Sequence, residues 1–134
     1  MHWILVVDDD EAMVGLLVDF LESKRCRVTS ASDACQSLLQ AEAVRPDIII
    51  TDLMMPVWGT GVDAYRNIRH NRHLKDVPVI FLTGTPPKEA RALLPLHDPL
   101  VRLLHKPVDL EHLEKTILEL APLAIPGPVP PKTP

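Results

Sequence analysis

Residues 47–52 read DIIITD, with three isoleucines in a row and no polar residue between them. A strand with one wet face alternates polar and apolar side chains. An unbroken branched run instead fits a strand buried on both faces, as in parallel sheets covered by helices on either side. Such a strand needs neighbours of its own kind. The chain supplies them in residues 3–7 (WILVV) and 77–82 (VPVIFL), with shorter runs at 26–30 and 100–104.

Helical patterns separate these runs. In residues 11–24, Met13, Leu16, Leu17, Phe20 and Leu21 recur at helical spacing. Asp10 is placed to cap that helix, and the neighbouring acids suit the positive end of its dipole. Ser32 or Asp33 opens a second helix to about residue 43, with Cys35, Leu38, Leu39 and Ala43 inward. Pro46 stops it. A third helix runs from Gly61 or Val62 to Asn71, burying Val62, Tyr65, Ile68 and the stem of Arg69. Pro86 and Pro87 open a fourth helix and Pro95 ends it, so it is short. Asp109 caps a fifth through Leu120, with Leu110, Leu113, Ile117 and Leu120 inward.

Five alternating strands and helices predict an α/β, flavodoxin-like (βα)5 doubly wound parallel sheet in the order 2-1-3-4-5. Residues 1–121 form the domain. Residues 122–134 hold six of the fourteen prolines and are expected to be an extended or disordered tail. Thirteen residues cannot fold into an output domain of their own.

In such sheets function gathers beyond the carboxyl ends of the strands. There the sequence places Asp8 and Asp9, Asp52, Thr83 and Lys106. Crowded carboxylates repel one another and call for a cation. Hard oxygen ligands suit Mg²⁺, or Mn²⁺, which bind substrate phosphates while keeping waters. Lys106 adds a second positive charge and Thr83 a hydroxyl donor. A carboxylate in that setting can be the nucleophile that forms an aspartyl phosphate.

Four motifs then bring a resemblance into view: VVDDDEAM (6–13), PDIIITDLMMP (46–56), VPVIFLTG (77–84) and LLHKPVDLEHL (103–113). Their order and spacing resemble the receiver domains of two-component response regulators. The resemblance implies that Asp52 is the phospho-acceptor. It implies that Asp9 holds the metal directly, Asp8 through a bound water, and Met54 through its backbone carbonyl. Thr83 and Lys106 would meet the phosphoryl group, and the Lys106–Pro107 bond would be cis. The implied partners are a sensor histidine kinase or phosphotransfer protein and a downstream protein of unknown identity, with a homodimer as a further option. Cysteine usage, two residues with no C-x-x-C pair, and the lack of a secretory signal in the sequence lead separately to an expected cytoplasmic setting.

The chain departs from that family's pattern in three places. Leu103 stands where the family has a Tyr or Phe switch. The loop PVWGTG after Asp52 is one residue longer than usual. Residues 86–99 carry four prolines. Met54 and Thr85 occupy the positions that tune phosphoryl lifetime in the family. Met54 cannot orient water by hydrogen bonding, which implies slow autodephosphorylation.

Composition bounds the alternatives. A net charge of −4 argues against direct nucleic-acid binding. The longest apolar runs are far short of the roughly 20 residues that span a membrane. Cys26 and Cys35 form no C-x-x-C pair and read as small core residues. Outside the receiver reading stand a haloacid-dehalogenase-like phosphatase, using Asp8 and Asp10, and a receiver-like interaction module that is never phosphorylated. The first would be a turnover enzyme, but it leaves Asp52 unexplained and lacks an acidic pair ending an apolar strand after Lys106; the receiver reading makes the chain a switch that assists only its own phosphorylation and dephosphorylation.

Overall fold

The computed structural model describes residues 2–53, 61–84, 86–94 and 97–126. Five strands, β1 (Trp3–Val7), β2 (Arg27–Ala31), β3 (Ile48–Asp52), β4 (Val79–Thr83) and β5 (Val101–His105), form one parallel sheet in the order β2-β1-β3-β4-β5. The helices are α1 (Glu11–Ser23), α2 (Ala34–Val44), α3 (Gly61–His70), α4 (Pro87–Leu93) and α5 (Leu110–Leu120). The expected architecture is met. Among the described residues no helix is long and apolar enough to cross a membrane.

The isoleucine run explains the two layers of core. Ile48 and Ile50 pack with Ile4, Val6 and Ile80 against Leu17 and Leu21 of α1 and Leu113 and Ile117 of α5. Ile49, one residue out of phase, packs with Leu5, Val7 and Phe81 against Ala41 of α2, Ile68 of α3 and Ala90 of α4. Alternate side chains on a strand face opposite ways, so one unbroken run feeds both cores.

Asp10 caps α1 by accepting from the amides of Ala12 and Met13. Asp33 caps α2 through the Gln36 amide, and Asp109 caps α5 through Glu111 and His112. α4 begins on Pro87 and spans seven residues, as the prolines require.

Several inward faces differ from expectation. Leu16 is 47% exposed, because it lies about 100° around the helix from Leu17, off the stripe centred on Leu17 and Leu21. On α2, Leu39 is 62% exposed, and Cys35 and Ala43 are also exposed; the buried positions are Ala34, Ser37 and Ala41, with Leu38 partly buried. Small side chains let α2 lie close to the sheet, so that face wins over the more apolar one beside it. Cys26 is buried as expected, just before β2 and not within it. Burial, helped by the Glu114 charge, pushes its thiol up to about 11.

The chain also packs past residue 121. Pro122–Ala124 form a 3-10 turn, and Ala124 and Ile125 are buried against α1 and α5. The extended segment expected from residue 122 is therefore not seen before Pro126, because an apolar Ala-Ile pair fills the gap between those helices. Residues 127–134 lie outside the described residues.

Candidate functional site

Sheet register delivers the site. Val7 pairs with Thr51, so the next residues, Asp8 and Asp52, stand level at the ends of adjacent strands. Asp52 pairs with Leu82, which brings Thr83 one step further, and Thr83 pairs with His105, which brings Lys106 one step further again. Four neighbouring parallel strands thus end in Asp8, Asp52, Thr83 and Lys106. Asp52 and Thr83 occupy the last positions of β3 and β4, one residue beyond the strand ends expected at Thr51 and Leu82.

Asp8 is buried at 2% exposure and Asp52 at 7%, while Asp9 is exposed. Carboxylate oxygens of the three lie within 4.8 Å of one another. Lys106 Nζ donates to Asp8 Oδ2 at 3.1 Å and stands 3.5 Å from Asp52 Oδ2. The other Asp8 oxygen accepts the Asp10 amide at 2.9 Å, which fixes the carboxylate's orientation. Burial alone would lower the Lys106 ammonium. The hydrogen bond to Asp8 and the charges of Asp52 and Asp8 outweigh it, and the net shift is upward. Lys106 is therefore a fixed positive charge at any physiological pH.

Thr83 is buried, and its carbonyl accepts the Lys106 amide at 2.7 Å, tying the end of β4 to the chain just past β5. The Lys106–Pro107 peptide is cis, as the resemblance implied. Asp10 accepts the Ala12 and Met13 amides on one carboxylate oxygen, the capping role expected of it. Met54, Thr85 and the loop around Trp58 lie outside the described residues.

Three carboxylates against one ammonium leave the cluster two charges negative. Its donors are all oxygens, two of them buried, which is the chemistry of a hard divalent cation. Asp8, Asp9 and Asp52, whose carboxylate oxygens lie within 4.8 Å of one another, would be the residues to hold such an ion, directly or through a bound water.

One part of the surroundings was not legible in the sequence. An open cleft of about 340 Å³ runs from Asp8 and Asp9 toward β2, walled by Ser30, Ser32 and Gln36. Gln36 Oε1 accepts both the amide and the hydroxyl of Ser32. The signal for that wall was a capping-box variant, Asp33-x-x-Gln36, with the glutamine reaching back to the residue before the cap.

Comparison with known proteins agrees with this geometry. Residues 4–118 match the family model described as the response regulator receiver domain. The chain is 37% identical over 81 residues to the alkaline phosphatase synthesis transcriptional regulatory protein PhoP of Bacillus subtilis, covering 60% of this chain and 32% of that protein. It is 28% identical over 117 residues to hybrid signal transduction histidine kinase D of Dictyostelium discoideum, covering 87% of this chain and 7% of that protein. The chain thus spans under a third of the length of these relatives.

Among solved structures, chemotaxis response regulator CheY4 of Vibrio cholerae superposes with a TM-score of 0.79 at 28% identity, over 90% of this chain and 98% of that one. The receiver domain of sensor histidine kinase PA1611 from Pseudomonas aeruginosa, described with a magnesium ion coordinated in its active site cleft, gives 0.80 at 29% identity over the same shares.

Proposed function

Because this chain belongs to the response regulator receiver domains, we propose that it is a phosphorylation-dependent signalling switch and that Asp52 is the residue that accepts the phosphoryl group. The observation that carries the assignment is the position of Asp52, nearly buried, between an ammonium 3.5 Å away and two further carboxylates.

An Asp52 oxygen attacks the phosphorus of a phosphohistidine on a sensor histidine kinase or phosphotransfer protein. The new P–O bond forms as the P–N bond breaks, and the imidazole leaves with the electron pair and takes up a proton. Lys106, already held between Asp8 and Asp52, pairs with an incoming phosphoryl oxygen. Thr83 offers its hydroxyl to another. Asp8, Asp9, Asp52 and the Met54 carbonyl would hold Mg²⁺ (or Mn²⁺), which when bound neutralises phosphoryl oxygens that the three carboxylates would otherwise repel. The product carries more negative charge at the end of β3 than a free carboxylate does, and that charge biases the domain toward a downstream partner.

Intact-mass measurement with acetyl phosphate and Mg²⁺ tests this reading. Wild type gains one phosphoryl group and Asp52→Asn gains none. A wild type that stays unmodified, and also fails to bind beryllofluoride, removes the proposal.

A further inference from the structure

α3 and β5 are not consecutive in the chain, yet a part-buried polar network joins them. Asp98, in the turn before β5, accepts from the Tyr65 hydroxyl at 2.7 Å and from Arg69 Nε at 2.8 Å on the same oxygen. Its other oxygen accepts the Leu100 amide at 2.9 Å, and its carbonyl accepts the Val101 amide. Arg69 Nη1 donates to the Val77 carbonyl, just before β4. The Arg69 and Asp98 side chains are only 15% and 12% exposed. This is the only ion pair among the described residues, outside the carboxylate cluster, with both partners so enclosed.

The ring of Tyr65 is seated as firmly as its hydroxyl. Its centroid lies 6.1 Å from that of Phe81, a fully buried β4 residue, and the Arg69 guanidinium lies 4.9 Å from the ring centroid. Phe81 pairs in register with Leu103 of β5, which has no polar atom to move toward Thr83. One cluster therefore grips α3, the start of β4, the middle of β4 and the approach to β5.

The two ends of this cluster both lead to the proposed phosphorylation site. α3 is the helix that follows β3 and its loop, hence Asp52. β5 ends one residue before Lys106, which stands 3.5 Å from Asp52. We propose that the Tyr65–Arg69–Asp98 network is a coupling device that makes α3 and the approach to β5 open and shift as one unit, so that charge placed on Asp52 is felt at both together. The half of this statement that concerns Asp52 rests on the function proposed above; the half that concerns the shared unit does not. Physically, Asp98 offers one oxygen to two donors from one helix, so moving α3 away breaks two charge-assisted bonds at once and leaves a buried charge. Moving with it breaks neither.

Native-state hydrogen exchange on the full chain at low denaturant tests the device. In wild type the amides of Ile68 and Arg69 in α3 and of Val79 and Val101 at the start of β4 and β5 should exchange through one opening, with a common denaturant dependence. Tyr65→Phe keeps the ring and removes only the hydroxyl, and Asp98→Asn removes the charge. Either should split the group, the Val79 and Val101 amides losing about tenfold in protection relative to those of α3. Adding Mg²⁺ and beryllofluoride should then change exchange in both segments of wild type by the same factor and, in Tyr65→Phe, by different factors, since β5 still reaches Asp52 through Lys106 while α3 no longer follows it.

A wild type whose two segments already exchange independently overturns the proposal. So do variants that lower all four amides equally, which would mean a contribution to stability and no more. If wild type takes no beryllofluoride at all, the Asp52 reading fails while the exchange of the unliganded protein still decides whether the unit exists.

Discussion

The Nζ of Lys106 donates to Oδ2 of Asp8 at 3.1 Å, joining residues 98 positions apart in the chain. The bond crosses from the end of the edge strand β5 to the end of β1, over the tops of β3 and β4. It holds one positive charge inside a cluster that carries three negative ones, and the cluster's behaviour follows from that imbalance.

Removing one carboxylate should relieve it. Asp52→Asn is expected to stabilise the metal-free protein by about 1 kcal/mol, because Asp8 and Asp52 are both buried and repel. Urea unfolding in the presence of a chelator measures this. A variant less stable than wild type under those conditions would mean that Lys106 already balances the cluster.

Divalent metal should reverse the order. At ten times its dissociation constant, Mg²⁺ adds about 1.4 kcal/mol to a protein that binds it only when folded. Wild type should gain that stabilisation, and Asp8→Asn or Asp9→Asn should lose most of it. Thermal unfolding over a Mg²⁺ series reads the difference, and equal gains in wild type and both variants would place the ion elsewhere.

Acid should act through Asp98. Burial pushes its carboxyl up, but the bonds from Arg69, the Leu100 amide and Tyr65 outweigh burial and hold it below the usual carboxylate range. A depressed folded value means the stabilisation is present above the unfolded value and is lost as pH falls through the folded one. Asp98→Asn should therefore cost about 2 kcal/mol at neutral pH. The gap to wild type should shrink as pH falls below about 4. Urea titrations at stepped pH give the curve; a gap that widens in acid contradicts it.

The C-terminal packing makes its own forecast. Ile125→Ala should cost about 2 kcal/mol, since Ile125 is buried between α1 and α5. Compared with a chain ended after Pro126, one ended after Ala121 should lose at least as much stability as Ile125→Ala does. Chemical denaturation of the three proteins ranks them, and a chain ending at Ala121 that matches wild type would show that the packing contributes nothing.

The strands and the polar groups at their ends were legible because parallel strands announce themselves locally. An unbroken branched run such as 48–50 has few other uses, and the residue that breaks it marks the strand's end. Helix faces were less legible. Leu39 looked inward on hydropathy, but Ala34, Ser37 and Ala41 let α2 approach the sheet more closely, and closeness is a property of the pair of surfaces. The same holds for Ala124 and Ile125, whose burial depends on a gap between two distant helices. Arg69 was expected to bury its stem, and it does. Its partner Asp98 lies 29 residues away in a proline-flanked turn, and nothing local in the sequence links them. The cleft toward Gln36 was missed for a related reason: its walls come from both sides of β2, a strand with little apolar signal of its own.

The stagger of the strand ends has a practical corollary. Side chains alternate faces along each strand, so a slip of one residue between β1 and β3, or between β4 and β5, would turn half of the end groups away from the others. A misaligned sheet could still bury most of its isoleucines, since they are apolar on both faces. It could not gather three carboxylates and an ammonium. Retention of the divalent ion proposed for this cluster would thus be a more exacting gauge of correct assembly for this chain than helical content or compactness.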